Sequence, residues 1–126
     1  MVKQGLLAVV LFSFASTVFA AEAGFEGTYK CKGYDPYANK AYQGTIIVTH
    51  KNAVYQLTMD YDSGEKAIGT GGQYDPTLMS VVFQDKENLK HIGLEQYTFT
   101  PDRKKIQGYW VYLGEDKLGS EVCDRV

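Results

Sequence analysis

Gly119-Ser120-Glu121-Val122-Cys123-Asp124-Arg125-Val126 closes the chain, and the only cysteine besides Cys123 stands near the start, in Phe25-Glu26-Gly27-Thr28-Tyr29-Lys30-Cys31-Lys32-Gly33. In the earlier stretch Phe25, Gly27, Tyr29, Cys31 and Gly33 share one parity, opposite Glu26, Thr28, Lys30 and Lys32. That is the period of a strand with one dry and one wet face. In the closing stretch Gly119, Glu121 and Cys123 fall on one parity in the same way. A sheet of short hairpins has two exposed edges unless it closes on itself, and closure sets the first strand beside the last. Cys31 and Cys123 then become cross-strand neighbours. The expected fold is therefore all-β: an eight-stranded antiparallel up-and-down meander barrel closed by a Cys31–Cys123 disulfide.

The chain between these ends reads as hairpins throughout. Alternating segments run over 25–34, 42–50, 54–61, 66–74, 77–84, 91–100, 105–113 and 117–126, separated by turn residues such as Asp35-Pro36, Lys51-Asn52, Ser63-Gly64, Asp75-Pro76, Pro101-Asp102 and Gly114-Glu115. Tyr34-Asp35-Pro36 is echoed by Tyr74-Asp75-Pro76, which reads as repeated turn chemistry and not as a repeat unit. Segment six carries apolar residues on both parities, Ile92 and Leu94 against Tyr97 and Phe99, so a bulge is expected near Glu95 and the direction of that side chain stays open. Glycines within strands permit the coiling a small barrel needs and let neighbouring aromatic rings lie over the backbone.

Residues 1–20 have a basic start at Lys3, an apolar run and small residues before Ala20, the pattern of a secretory signal peptide; Ala23 offers a second cleavage site. The domain expected to remain, 21–126, is a single small barrel. Its location is then periplasmic or secreted in a bacterium, where a cysteine pair stays bonded. The chain has 13 basic and 15 acidic residues, a balance that argues against a nucleic-acid partner. No later run is apolar enough to span a membrane as a helix once the signal is removed.

With Gly27-Thr28-Tyr29 on strand one and a second glycine–aromatic pattern at Gly108-Tyr109-Trp110, the chain resembles the calycin superfamily, nearer in length to avidins than to lipocalins. That resemblance implies a barrel holding a small, largely apolar molecule. Family members carry Gly-x-Trp where this chain has Gly27-Thr28-Tyr29, and the polar biotin-binding pattern of avidins does not occur, so biotin binding is not implied. The triplets Gly27-x-Tyr29-x-Cys31, Gly108-x-Trp110 and Gly119-x-Glu121-x-Cys123 also resemble short bacterial exported proteins of unknown role, some labelled fibronectin-binding.

The aromatic content carries the functional reading. Tyr29, Tyr55, Trp110 and Tyr112 fall on inward parities, and with Glu121 they form the expected ligand site: rings to pack a flat amphipathic molecule, a carboxylate to orient it. The competing possibility is that the same rings fill the core, because eight strands leave an interior just wide enough to be filled. The alternative function is a protein-binding module, an adhesin or an enzyme inhibitor, acting through Tyr34, Tyr37 and Tyr42 around the longest loop. No metal or cofactor is expected: His50 and His91 are placed at opposite ends of the barrel, and the cysteines are bonded to each other. The strongest enzymatic pattern is Glu95 with Glu121, one strand apart at roughly 9–10 Å by strand spacing, as in an inverting glycosidase. It ranks below binding, and the chain is read as a non-enzyme.

Overall fold

The computed structural model describes residues 24–126, so the proposed signal peptide and its cleavage site lie outside the described residues. Eight strands follow one another: β1 Gly27–Asp35, β2 Lys40–Lys51, β3 Val54–Tyr61, β4 Lys66–Asp75, β5 Leu78–Asp85, β6 Ile92–Phe99, β7 Lys105–Tyr112 and β8 Gly119–Arg125. They form a closed antiparallel barrel in sequence order, with β1 paired to β8. Cys31 lies directly across from Cys123 at that seam, and the two are disulfide-bonded. Bridging residues 92 apart, the bond removes loop entropy from most of the unfolded domain.

Turn chemistry explains where the strands stop. Asp35 Oδ1 accepts from the backbone N–H groups of Tyr37 (2.8 Å) and Ala38 (3.2 Å), and Asp75 Oδ1 accepts from those of Thr77 (2.8 Å) and Leu78 (3.0 Å). The two Tyr-Asp-Pro triplets thus make the same side-chain-to-backbone turn. Asn39 and Asn52 adopt left-handed φ of 52° each, a conformation that asparagine tolerates better than most residues.

The bulge expected near Glu95 does not form. β6 keeps unbroken register with both β5 and β7, and the sheet's irregularity lies in β4, between Gln73 and Asp75. Gly93, Glu95, Tyr97 and Phe99 all face inward, while Leu94 points outward and is 54 % exposed. The outer face at this point is itself apolar, since Val82, Leu94 and Val111 stand in one cross-strand row.

The two ends of the barrel differ. The end carrying the β2–β3, β4–β5 and β6–β7 turns is plugged. Phe25, read as the first residue of a strand, instead precedes β1 and turns into the barrel, stacking on Phe99 at 4.0 Å between ring centres and lying 5.6 Å from Tyr55. The Tyr29 hydroxyl donates to the Phe25 carbonyl (2.8 Å), and the Arg103 guanidinium covers the Phe25 ring at 5.4 Å. Arg125 ties the plug segment down through the carbonyls of Gly24 and Glu26. The opposite end, carrying the β1–β2, β3–β4, β5–β6 and β7–β8 turns, opens into a cavity.

Candidate functional site

The site begins with one row of residues in direct register across five strands: Tyr42 on β2, Gly33 on β1, Glu121 on β8, Gly108 on β7 and Tyr97 on β6. The tyrosines flank the glutamate at a remove of two strands each, roughly 10 Å at the usual spacing. Each reaches it by lying over the intervening glycine. A Cβ on Gly33 would overlap the Tyr42 ring and come within 2.6 Å of the Ser120 carbonyl; one on Gly108 would meet Tyr97 at 3.0 Å and Glu95 Oε1 at 2.8 Å. The result is a buried, satisfied carboxylate. The Tyr97 hydroxyl donates to Glu121 Oε1 (3.0 Å), the Tyr42 hydroxyl to Oε2 (2.8 Å), and the Trp110 indole N–H donates to the Tyr42 hydroxyl (3.0 Å).

Glu95, on the same inward face, is held differently. It lies across from Val81 on one side and Trp110 on the other and is 2 % exposed; its Oε1 has no hydrogen-bond partner, while the carboxyl group as a whole stands within hydrogen-bonding reach of Glu121 and Tyr97. Burial, and next the negative charge of the Glu121 carboxylate, push the Glu95 pKa well above the ordinary carboxyl value. The shift favours the protonated acid. Burial first and Glu121 second also raise the phenol pKa values of Tyr42, Tyr61 and Tyr97. For Tyr112 the cause is burial and then Asp85.

Above these groups the mouth encloses about 300 Å³. Tyr42, Tyr61, Phe83, Trp110 and Tyr112 supply aromatic walls, Ala67 leaves space between them, and Glu95 lies at the base. Asp35, Asp62, Glu65 and Asp85 stand around the opening with Lys40 among them. Asp85 is paired with His91 Nδ1 at 2.6 Å, and the His91 ring stacks on Tyr112 at 3.5 Å. Tyr37 packs beside the mouth against Trp110 and Tyr112. Its hydroxyl accepts from the Lys117 N–H (3.1 Å) and donates to the Lys117 carbonyl (2.9 Å), and its ring lies 6.2 Å from Trp110 and 5.7 Å from Tyr112.

The residues expected at a ligand site therefore separate. Trp110 and Tyr112 line the cavity, Glu121 lies behind its wall, and Tyr29 and Tyr55 belong to the plugged end. The three loop tyrosines separate too: Tyr42 points inside, Tyr37 is bound to the β7–β8 loop, and Tyr34 stays 43 % exposed with its hydroxyl on Asn39. Phe83 and Ala67 were not anticipated at the cavity, and Glu95 was expected there only as half of a carboxylate pair with Glu121. The hairpin closing at Asp35 and Lys40 puts Gly33 across from Tyr42, a pairing that signals a ring turned inward over a glycine. His50 and His91 sit at opposite ends, His50 stacked on Tyr55 and His91 on Tyr112. Among the described residues Cys31, Glu121 and Cys123 bring possible metal-ligand atoms within 4.8 Å of one another, but bonded sulfurs offer no thiolate to a metal.

No protein-family model and no curated protein matches the sequence. Solved structures similar to it include designed barrels. The redesigned β-barrel mFAP1, bound to DFHBI, superposes with a TM-score of 0.66 at 10 % identity, over 80 % of this chain and 94 % of its own. The barrel mFAP2b, also bound to DFHBI, gives 0.65 at 11 % identity over 81 % and 94 %. A de novo designed fluorescence-activating barrel gives 0.60 at 13 % identity over 84 % and 97 %. The chain thus has the eight-stranded, lipocalin-like barrel architecture of these designs.

Proposed function

We propose that the protein is an exported, non-enzymatic binding protein, periplasmic or secreted, that holds a small flat amphipathic molecule in the cavity at its open end. The observation that carries this reading is the pairing of aromatic walls with one buried, unpartnered oxygen, Glu95 Oε1, at the cavity base. Apolar walls with a single convergent polar group are the usual composition of a small-molecule pocket. Similar barrels that hold DFHBI supply an architectural precedent. Export is supported by the signal-like residues 1–20 and by a disulfide suited to an oxidising compartment.

Binding is favoured over catalysis because both Glu121 oxygens already accept phenol hydrogen bonds behind the cavity wall, which leaves Glu95 as the one carboxyl group at the cavity base. The alternative of a protein-binding loop, fibronectin-binding included, has less support, because the Tyr37 and Tyr42 hydroxyls are engaged within the fold.

The test uses Trp110, the single tryptophan of the chain, as a reporter within the cavity wall. Flat heteroaromatic molecules titrated into the native protein should change its emission saturably, and Ala67→Phe, which fills the cavity, should abolish the change. Undiminished binding by Ala67→Phe would place the ligand elsewhere and overturn the reading.

A further inference from the structure

The chemistry of the cavity defines a class of ligand, an inference that rests on the binding function proposed above. Three features coincide. Four carboxylates, Asp35, Asp62, Glu65 and Asp85, line the opening with one lysine, Lys40, among them and a second, Lys117, at its edge. Some are engaged, Asp35 in its turn and Asp85 with His91, but hydrogen bonds from backbone N–H groups leave the charge of Asp35 in place. The field at the mouth therefore draws cations. Second, the rings of Tyr42, Tyr61 and Trp110 lie over Gly33, Gly44 and Gly119 along the wall, and ring faces attract cations, most of all where water is excluded. The protein's own Lys117 ammonium already lies 5.8 Å over the Tyr37 ring at this mouth. Third, Glu95 is the carboxyl group at the base of the cavity; its Oε1 is buried against Gly108 and accepts no hydrogen bond, so the group has capacity for an N–H donor that reaches the base.

We infer that the cavity takes an organic cation with N–H donors, an arylalkylammonium of one fused ring system or less, its ammonium on Glu95 and its ring among Tyr42, Tyr61 and Trp110. A quaternary ammonium would satisfy the aromatic walls but not Glu95. An anion would meet the acidic mouth and be repelled. A neutral alcohol of the same shape would gain the walls and one weaker hydrogen bond.

Proton balance gives a second signature. The groups facing Glu95 are Glu121 from β8, Tyr97 from its own strand, and Tyr42 and Tyr61 from β2 and β3. Arrival of a cation favours the Glu95 carboxylate, so the carboxyl proton leaves to solvent as the ammonium enters.

The experiment is calorimetry on the intact protein with three probes of one shape: naphthylethylammonium, naphthylethanol and naphthylpropionate. The ammonium should bind roughly tenfold or more tightly than the alcohol, as expected when a buried polar group gains a charged partner, with the propionate weakest. Glu95→Gln should bring the ammonium-to-alcohol ratio towards one and remove the proton release seen between buffers of different ionisation enthalpy. Alcohol binding equal to ammonium in the native protein overturns the cationic ligand and leaves the cavity reading standing. Failure of all three probes overturns both. If Glu95→Gln does not fold, the native ratio and its fall with added salt decide the matter, since loss of affinity on screening follows from an acidic mouth.

Discussion

The plugged and open ends of the barrel are built from the same kinds of side chain and reach opposite outcomes. At the plugged end Tyr29 stands between Ile46 and Arg125 in register, and Phe99 stands beside Ile106. Side chains on both flanks direct these rings to the barrel axis, where they meet Phe25. At the open end Tyr42, Tyr61, Phe83 and Trp110 each face a glycine, respectively Gly33, Gly44, Gly93 and Gly119. Each ring lies down over the missing Cβ, so that it lines the wall. An eight-stranded interior is just wide enough to be filled. Whether one half is filled depends on which rings have glycine neighbours and on whether a residue outside the sheet supplies a plug.

Perturbations that test this contrast can be ranked by size. Replacing Cys31 and Cys123 with serine cuts the seam that both ends share, and should lower unfolding free energy by roughly 4–5 kcal/mol in chemical denaturation, as expected for a loop this long. Phe25→Ala removes the plug and should cost about 3–5 kcal/mol, while ligand-induced changes in Trp110 emission persist because the mouth is untouched. Equal loss of binding would show that the two ends are not separate units.

Gly33→Ala puts a methyl group into the Tyr42 ring and against the Ser120 carbonyl, for an expected cost of about 1–3 kcal/mol with a shifted Trp110 spectrum. Gly72, whose added Cβ meets nothing within 4 Å, is the matched control and should tolerate alanine with little change. Tyr97→Phe leaves Glu121 Oε1 without its donor and should cost roughly 1–2 kcal/mol, measured the same way.

The smallest effect is the most diagnostic. The folded pKa of Glu95 is raised by burial and by Glu121, so the unfolded chain releases this proton first as pH rises. The stability associated with the protonated side chain is fully present below the ordinary carboxyl range and is lost as pH climbs towards the raised folded value. Glu95→Gln, which cannot ionise, should match the native protein near the acid end and become progressively more stable than it as pH increases, read as a widening difference in Tm. A constant difference across pH would mean that Glu95 is not held as described.

Much of the fold was legible because alternation reports burial. The period-two patterns of the terminal strands, with one cysteine on the dry face of each, required neighbours that only closure provides. The Asp-Pro turns were legible because their chemistry is local. Glu95 was not: Ile92 and Leu94 suggested a dry face on the wrong parity, since an apolar outer row with Val82 and Val111 looks, residue by residue, like a core. The separation of Tyr29 and Tyr55 from Trp110 and Tyr112 was equally hidden, as parity tells inside from outside but says nothing of height along the axis.

By itself the sequence determined the strand count, the closure, the disulfide and the inward parity of most aromatic residues, because these follow from backbone geometry and local propensity. Only the tertiary structure decided that Phe25 leaves the sheet to fill one end, that Tyr42 and Tyr97 meet Glu121 across two glycines, and that Glu95 is buried beside Glu121 beneath the mouth. Those outcomes depend on cross-strand register and on the volume available between strands far apart in the chain, quantities that no run of neighbouring residues encodes.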